Sequence, residues 1–315
     1  MDREPLILKN YAKKFKEKCS NNNFDIIFSA QTPELTYINS KKPIVFWVDA
    51  TLSLLLEQIK GRMHINKRYI EIGDIADRIV FDKAAFTIFS SEWAANSAIK
   101  DYNVNPNKVK VVPFGANLTT NYSFSDIKDL IQNRSKDCIK ILFAGVDWER
   151  KGGDIVLDIT EKIFKRGVKV ELNIMGCKPE IRGKIPDYIK VHGFLNKNSK
   201  EGLTNIIKLF SENHFLIMPS RHEPFGIVFC EANSFGMPVI GSAIGGIPTI
   251  VKDGINGFLY SQPVITIAIA EKIIEITKDR NIYNELALSS YNEYKTRLNW
   301  DVSCKKVKNL LEELI

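Results

Sequence analysis

Apolar residues along this chain occur either in short unbroken runs or at the spacing of one helix face. Short apolar runs are typical of buried strands, and the helical spacing predicts helices that place one face on a core. In the first half of the chain this spacing predicts helices over residues 66–81 and 92–102. The strands predicted there are residues 24–29 (FDIIFS), 44–48 (IVFWV), 86–90 (FTIFS) and 109–113 (VKVVP).

The second half of the chain alternates strands and helices more regularly, and this order implies a parallel sheet with helices on both faces. Ligands of such α/β sheets bind at the carboxyl ends of the strands, in the loops that open the helices. The chemistry is therefore expected in DWERKGG (147–153), RHEPFG (221–226) and SAIGG (242–246). The predicted strands are 139–146, 168–176, 189–192, 215–219 and 238–242, and the predicted helices include 154–165 and 200–213.

The length of 315 residues is suited to two domains of ~150 residues each. A polar, asparagine-rich segment over residues 117–135 is predicted to connect them. We therefore expect a first domain over residues 1–130, a second over 131–290, and a helical segment over 291–315 that packs back on the first.

The composition, with 44% apolar and 26% charged residues, is typical of a globular protein. No apolar run is long enough to span a membrane, and the charged N-terminus lacks the apolar core of a signal peptide. The five cysteines form no CxxC pair, and none of the four histidines is spaced with a cysteine like a zinc ligand. These features predict a cytoplasmic protein without a structural metal.

The net charge of +7 lies mainly in the first half, where residues 1–136 carry 20 Lys and Arg against 15 Asp and Glu. Several of these lysines, from Lys9 to Lys18, lie on a predicted N-terminal helix with an apolar stripe. A solvated helix face is one interpretation, and attraction to an anionic membrane or an acidic acceptor is the other. No nucleic-acid-binding signature is present, so no nucleic acid partner is expected.

The segment RHEPFGIVFCEANSFG places two glutamates around an apolar run that is predicted to be helical. Gly226 opens this helix, and the amide of Ile227 is then a free donor at the positive end of a helix dipole, a ready phosphate site. Glu231 lies one turn beyond Ile227, where its carboxylate can accept hydrogen bonds from two ribose hydroxyls. Glu223 would reach the opposite end of the same ligand. The alternative for Glu231 is a glutamate that turns from a core helix to water.

The loop DWERKGG supplies the complementary charge. Arg150 and Lys151 follow a predicted strand, and Gly152 and Gly153 expose backbone amides at a helix start, an arrangement that can neutralise a diphosphate. A plain basic surface turn is the alternative. The glycine pair of the loop SAIGG allows a third close approach of the backbone to a ligand at the same edge. A glycine pair alone is a weak signal. Together the three loops predict a pocket for a nucleoside diphosphate.

Residues 138–260 resemble the donor domain of the retaining glycosyltransferases of family 4, the group 1 transferases with the GT-B architecture. The Glu-x7-Glu motif is present at Glu223 and Glu231, and FAGVDWERKGG, MPVIGS, GGIP and DGINGFL match in order and spacing. The first half matches more loosely, at FTIFSSEW and VKVVPFGAN. The resemblance implies two Rossmann-like, doubly wound domains that face a cleft, the second of which binds the donor.

The resemblance also implies a role for each matching residue. Arg150, Lys151, Gly226 and Ile227 would bind the donor diphosphate, Glu231 the ribose, Glu223, Phe225 and Gly226 the transferred sugar, and Gly193 and Phe194 the nucleobase. The reaction implied is front-face displacement with retention, in which Glu223 positions and stabilises and is not the nucleophile. Such enzymes usually need no metal, because cations and a helix N-terminus stabilise the leaving group. No cofactor is expected beside a UDP- or GDP-linked sugar, and the acceptor would be a glycan, a glycolipid or a polysaccharide.

Some family features have no match in this chain. Val146 stands where an arginine usually follows the glycine of the first donor strand, and Arg150 can substitute for it. Thr249 stands where a glutamate often follows the GGxP loop. The first strand and glycine-rich loop of the family have no match, so we expect the N-terminal domain to be shortened, with an exposed sheet edge as a liability.

Polar residues of the first half are the candidates for work on the acceptor. Asp49 stands where the family often has a histidine, and it can take up the acceptor proton, hold a sugar hydroxyl or cap the following helix. We therefore include Asp49 beside Glu223 among the catalytic candidates. His64 is expected in a solvated loop, with acceptor contact as the alternative. In the second half, His222 lies beside Glu223 in the sequence and can contact the donor sugar.

Two functions compete with a glycosyltransferase. The first is a catalytically silent module that binds nucleotide sugars or assists another transferase; the missing front loop favours it and the intact donor motifs oppose it. The second is a sugar-nucleotide epimerase of the same fold, which would isomerise its donor without an acceptor. An α-glucan phosphorylase would need a pyridoxal lysine site and a far longer chain. Fold analogy alone does not fix the function. Turnover separates a transferase from a silent module, because only the enzyme consumes a donor when an acceptor is supplied.

Overall fold

The computed structural model describes residues 3–19, 23–59, 65–118, 120–181 and 183–315. The chain forms two compact units, each with its own sheet. Unit 1 comprises Met1–Phe114 and Asp301–Ile315, and unit 2 comprises Gly115–Trp300. Both units are of the predicted α/β class, since each sheet is parallel and is accompanied by helices.

The strands of the described residues form one four-stranded and one six-stranded sheet, and every pairing between neighbouring strands is parallel. In chain order they are β1 (Ile27–Ser29), β2 (Ile44–Val48), β3 (Phe86–Phe89), β4 (Val109–Val111), β5 (Ile139–Ala144), β6 (Val170–Met175), β7 (Ile189–Gly193), β8 (Phe215–Met218), β9 (Val239–Ser242) and β10 (Gly257–Tyr260). The sheet of unit 1 has the order β1-β2-β3-β4, and that of unit 2 the order β10-β9-β8-β5-β6-β7.

The helices occupy the crossovers that parallel strands require. They are α1 (Pro5–Cys19), α2 (Leu52–Ile59), α3 (Lys67–Lys83), α4 (Glu92–Tyr102), α5 (Phe124–Asn133), α6 (Gly153–Lys165), α7 (Lys200–Glu212), α8 (Ile227–Ser234), α9 (Ile247–Ile250), α10 (Thr266–Lys278), α11 (Arg280–Arg297) and α12 (Trp300–Glu312). None of the helices in the described residues is long and apolar enough to cross a membrane.

The core of unit 1 is an aromatic cluster between the sheet and its helices. The ring of Phe46 on β2 lies 5.5 Å from that of Phe81 and 6.1 Å from that of Phe89, measured between centroids. Phe81 also meets Tyr102 edge to face at 4.8 Å. Burial of each such ring contributes about 1.5–3 kcal/mol. The predicted strand IVFWV is therefore the centre of this unit.

The sheet of unit 2 is buried on both faces at its centre, as parallel sheets are. All four residues of β8 and of β9 are buried, and β5 pairs with β6 in a register that sets Ile139 opposite Val170. Because these strands are buried along their whole length, the positions of their ends are fixed by packing. The loops that follow β5, β8 and β9 are thereby fixed at one edge of the sheet.

The segment predicted as a connection, residues 117–135, contains helix α5, so that prediction was wrong. Ser123 and Asp126 form a reciprocal capping box at its start, which is a readable sequence signal. Ile127 and Ile131 of α5 are fully buried within unit 2. The units divide after Phe114 and again after Trp300, whereas the boundaries predicted from the sequence lie after residues 130 and 290.

Candidate functional site

The three loops singled out in the sequence lie against one another at the carboxyl edge of the unit 2 sheet. The backbone N–H of Arg221 donates to the carbonyl of Arg150 at 2.7 Å, and the N–H of Gly246 donates to the carbonyl of Glu223 at 3.2 Å. Gly245 has a φ of +53°, and a Cβ built on it would lie 2.0 Å from the Glu223 carbonyl oxygen. Only glycine fits this contact, so SAIGG meets RHEPFG backbone to backbone.

Lys151 and Glu223 form an ion pair between the first two of these loops. Their side chains are only 12% and 8% exposed. Burial lowers the pKa of Lys151, and the charge and hydrogen bond of Glu223 partly oppose this shift. The Ser220 hydroxyl donates to the same carboxylate oxygen at 3.5 Å. Lys151, predicted to bind the diphosphate, and Glu223, predicted to bind the sugar, are therefore each other's partner, a pairing that no sequence pattern indicated.

Arg150 braces its own loop and reaches the next one. Its Nε donates to a carboxylate oxygen of Asp147 at 3.1 Å, and its Nη1 donates to the carbonyl of His222 at 3.1 Å. Arg221 makes a second link, since its two terminal nitrogens donate to Asp154 at 2.9 and 2.7 Å. This pairing lowers the pKa of Asp154 and raises that of Arg221. The loops are thus joined by side chains as well as by backbone.

Helix α8 begins as the sequence predicts. Gly226 is its N-cap with a φ of +96°, and a Cβ there would lie 2.7 Å from the ring of Phe229. In the described part of the chain, the backbone N–H groups of Ile227 and Val228 donate to no acceptor. They are therefore free donors at the positive end of the helix, while Phe225 is buried beside them.

Glu231 is neither in the apolar core nor turned freely to water. Burial raises the pKa of its carboxyl, while the nearby Lys197 and a hydrogen bond from the backbone N–H of Asn117 favour the charged form. The side chain of Asn117 is held in turn by Trp300, whose Nε1 donates to it at 3.0 Å. Glu231 is thus a half-buried carboxylate with a fixed direction, and its ribose role stays a prediction.

The candidates for the nucleobase lie at the end of β7. The carbonyl of Gly193 accepts a hydrogen bond of 2.8 Å from the N–H of Gly176, which holds the strand end in place. Phe194 follows with 73% of its surface exposed. An exposed aromatic ring at a strand's carboxyl end is available for stacking, so the predicted role stays open for Phe194.

In unit 1, Asp49 follows β2 directly, but other residues bind the first amides of the next helix. The N–H of Leu52 donates to Asp77 at 3.1 Å and that of Ser53 to the Tyr102 hydroxyl at 3.0 Å. Thr51 accepts from the third amide at 3.4 Å. These caps are long-range except for Thr51, so no local sequence pattern indicated them. The roles predicted for Asp49 toward the acceptor stay predictions, and His64 lies outside the described residues.

Asp77 is the other feature of unit 1 that the sequence did not indicate. It is almost fully buried on α3 and forms an ion pair with Arg3. The hydroxyl of Thr32 donates to it at 2.9 Å. With the amide of Leu52 as a further donor, this carboxylate is satisfied from several directions, as a buried charge requires.

Within the described residues, no group of three or more His, Cys, Asp or Glu side chains could hold a metal ion. The expectation that the reaction needs no metal stays a prediction.

Several solved structures share this fold. Sucrose-phosphate synthase from Thermosynechococcus elongatus superimposes with a TM-score of 0.71 and 17% identity, over 98% of this chain and 78% of that one. Anabaena Alr3699/HepE in complex with UDP and glucose gives 0.69 and 19%, over 98% and 82%. The two parallel α/β units have the GT-B fold of these glycosyltransferases.

Two curated relatives align in sequence with about three quarters of this chain. A 41.2 kDa protein in the cps region of Klebsiella pneumoniae is 29% identical over 255 residues, which is 78% of this chain. D-inositol 3-phosphate glycosyltransferase of Corynebacterium diphtheriae is 22% identical over 256 residues, or 75% of this chain. The aligned parts span only 64% and 58% of these relatives.

The family model described as "Glycosyl transferases group 1" matches residues 126–293, which is more than half of the 315 residues. The match includes the loops that follow β5, β8 and β9. The chain belongs to the group 1 glycosyltransferases.

Proposed function

We propose that this protein transfers a sugar, with retention, from a nucleoside diphosphate sugar to a hydroxyl of a glycan, a glycolipid or a polysaccharide. The observation that carries the proposal is the meeting of two free helix amides, the buried Lys151–Glu223 pair and the half-buried Glu231 at one sheet edge. A UDP-linked donor is the first candidate, because structures of the similarly folded Anabaena protein contain UDP and UDP-glucose.

The donor diphosphate would bind to the amides of Ile227 and Val228 and to Lys151. As Lys151 turns to the phosphates, the Glu223 carboxylate becomes available to the hydroxyls of the transferred sugar. Before the donor binds, Lys151 is paired with Glu223, so its buried charge is not left without a partner. Arg150, whose Nε and Nη1 bind Asp147 and His222, would add its charge and its remaining donors.

In the transfer step, the bond between the anomeric carbon and the diphosphate oxygen breaks while the acceptor oxygen bonds to the same face of the sugar. The acceptor proton passes to the departing phosphate oxygen, and Asp49 is the other candidate to take it. The helix amides and Lys151 stabilise the charge that develops on the diphosphate, so the proposal includes no metal and no further cofactor.

The proposed location is the cytoplasm, with peripheral contact to an anionic membrane where the acceptor is lipid-linked. Exposed lysines of α1, among them Lys13 and Lys14, support that contact. The fold neighbour WaaG is described as a glycosyltransferase of lipopolysaccharide biosynthesis. That description is consistent with a cell-surface acceptor here.

Calorimetric titration of UDP, GDP and ADP tests the donor site. We expect one of them to bind, and Glu231→Ala to weaken it about tenfold to a hundredfold, because charge-assisted hydrogen bonds are worth about 1.5–3 kcal/mol. Glu285→Ala, which removes an exposed carboxylate of α11, is the matched control and should leave the affinity unchanged. Equal affinities of the Glu231 and Glu285 variants would contradict the ribose assignment.

A catalytically silent donor-binding module is the second candidate, because Val146 and Thr249 stand where the family usually has an arginine and often a glutamate. Consumption of the bound donor separates the two, since only an enzyme releases the nucleoside diphosphate when an acceptor is supplied. Tight binding without release from any of a panel of glycan and glycolipid acceptors would favour the silent module.

A further inference from the structure

A cavity lies at the amino edge of the unit 2 sheet, at the opposite ends of the strands from the three donor loops. Its volume is about 380 Å³, and its walls come from the amino ends of strands and from the junction of α10 and α11. Cys138 precedes β5, Lys169 precedes β6 and His214 precedes β8. Because β5 is six residues long, roughly 20 Å of strand separate this cavity from the loops at the carboxyl edge.

The walls of this cavity are strongly positive. They include Lys136, Lys169, Lys278 and Arg280, against the single carboxylate of Asp137. In the described part of the chain none of these three lysines forms a direct ion pair, and all three side chains are exposed. Three lysines, one arginine and one aspartate leave a formal excess of positive charge around one small volume.

Arg280 is fixed in place and keeps donors to spare. Its Nη2 donates to the carbonyls of Ile131 and Arg134 at 2.6 and 3.2 Å, and so caps the end of α5. Its guanidinium also lies over the ring of Tyr283, 5.3 Å from the centroid. Among the described residues its Nε and Nη1 have no acceptor, and they remain for a ligand.

The inner wall is neutral and rigid. His214 accepts a hydrogen bond from the N–H of Lys140 at 3.0 Å through Nδ1, and its Nε2 lies 2.9 Å from the carbonyl of Ser135, which it can only meet as a donor. The imidazole is therefore neutral, and burial together with Arg134 lowers its pKa to about 3. The Tyr283 hydroxyl donates to the carbonyl of His214 at 3.2 Å. The polar groups of His214 and Tyr283 are thus already hydrogen-bonded within the protein, and the positive charges lie around them.

We propose that this cavity binds a small, multiply charged phosphate compound, such as pyrophosphate or a phosphate monoester. Phosphate oxygens accept from lysine and arginine and carry the negative charge that the excess of cations requires. The Ser135 hydroxyl, which accepts a hydrogen bond from the N–H of Cys138, keeps its own proton as a further donor in the walls. The volume falls within the range of small-molecule sites, about 300–1,000 Å³.

An occupant of this cavity would stabilise unit 2. Arg280 joins the end of α5 to the start of α11, and an anion bound to it would hold α10, α11 and the β5 end together. A ligand that binds only the folded state raises stability in proportion to RT ln(1 + [L]/Kd). The melting temperature of unit 2 should therefore rise with pyrophosphate concentration.

Calorimetric titration of pyrophosphate tests the site, with Lys169→Glu/Lys278→Glu as the cavity variant. Lys305→Glu/Lys306→Glu on the exposed face of α12 is the matched control, because it changes the net charge equally. We expect the cavity variant to bind pyrophosphate at least about tenfold more weakly than the control variant, with the affinity for UDP unchanged. If the charge reversals prevent folding, Lys169→Gln/Lys278→Gln gives the same comparison.

Equal pyrophosphate affinity in the cavity and control variants would overturn the proposal, and so would complete displacement of pyrophosphate by UDP. Two further probes identify the source of the phosphate. Sulfate should bind less tightly if multiple charge is required. Sedimentation with vesicles of phosphatidic acid, if lost only in the cavity variant, would assign the site to a lipid headgroup, whereas no sedimentation assigns it to a dissolved phosphate.

Discussion

The ion pair of Lys151 and Glu223 allows a quantitative test of how the donor loops are held together. Lys151→Met keeps the aliphatic stem and removes the charge, and Glu223→Gln keeps the shape of the carboxylate. Both native side chains are nearly buried. Removal of one partner from a buried pair leaves an uncompensated charge and costs about 3–5 kcal/mol. Because each side chain keeps a little contact with water, we expect about 3 kcal/mol for each single variant.

The double variant Lys151→Met/Glu223→Gln carries no unpaired charge, so the second substitution should cost little beyond the first. The coupling energy, measured without donor, should be about 2–3 kcal/mol. Urea unfolding followed by circular dichroism, read from the transition that unit 2 dominates, gives the four free energies of the cycle.

The control is an exposed pair in the same unit, Lys165 and Glu161 on α6, whose charged atoms are 2.6 Å apart. Its side chains are well exposed, so the cycle Lys165→Met/Glu161→Gln should give a coupling far smaller than that of the buried pair. Additive single variants at Lys151 and Glu223, each costing less than about 1 kcal/mol, would refute the pairing and the view that it organises the site.

Two further predictions concern unit 2. His214 is held neutral with its pKa near 3, so the unfolded state alone takes up a proton below about pH 6.5, and stability falls as the pH drops. Between pH 7.5 and 5, the free energy of unfolding of the wild type, measured in urea, should fall by about 2 kcal/mol more than that of His214→Gln. Equal decreases in the two proteins would contradict this prediction. Gly245→Ala should lower the free energy of unfolding by at least about 1 kcal/mol more than Gly254→Ala does. Gly254 is the control because its φ is similar but a Cβ there would meet open space. Coinciding urea midpoints of the two variants would refute the close contact of Gly245 with Glu223.

The sequence predicted those elements that depend on local pattern. The run IVFWV became β2 with the predicted bounds, and the Gly226 signal placed the start of α8 correctly. Helix α5 was missed although its capping box was readable, because the surrounding asparagines favoured a connection.

What the sequence could not give is the choice of long-range partners. Arg134, in the supposed connection, is buried and donates to carbonyls of Phe235 and Gly236 at 2.7 Å, about a hundred residues away. Lys151 and Glu223 were both selected as site residues, but no local pattern indicates that they bind each other. Such contacts depend on the order of strands in the sheet, which a single sequence does not specify.

Unit 1 is built from two stretches of chain that are separated by the whole of unit 2. Ser303 and Val307 of α12 are buried in it, and the Ser303 hydroxyl donates to the carbonyl of Pro113 at 2.6 Å. Domains of a growing chain usually fold in the order in which they leave the ribosome. Here unit 2 is continuous and can fold as soon as Trp300 has emerged. Unit 1 starts to be synthesised first but is completed last, when α12 reaches it.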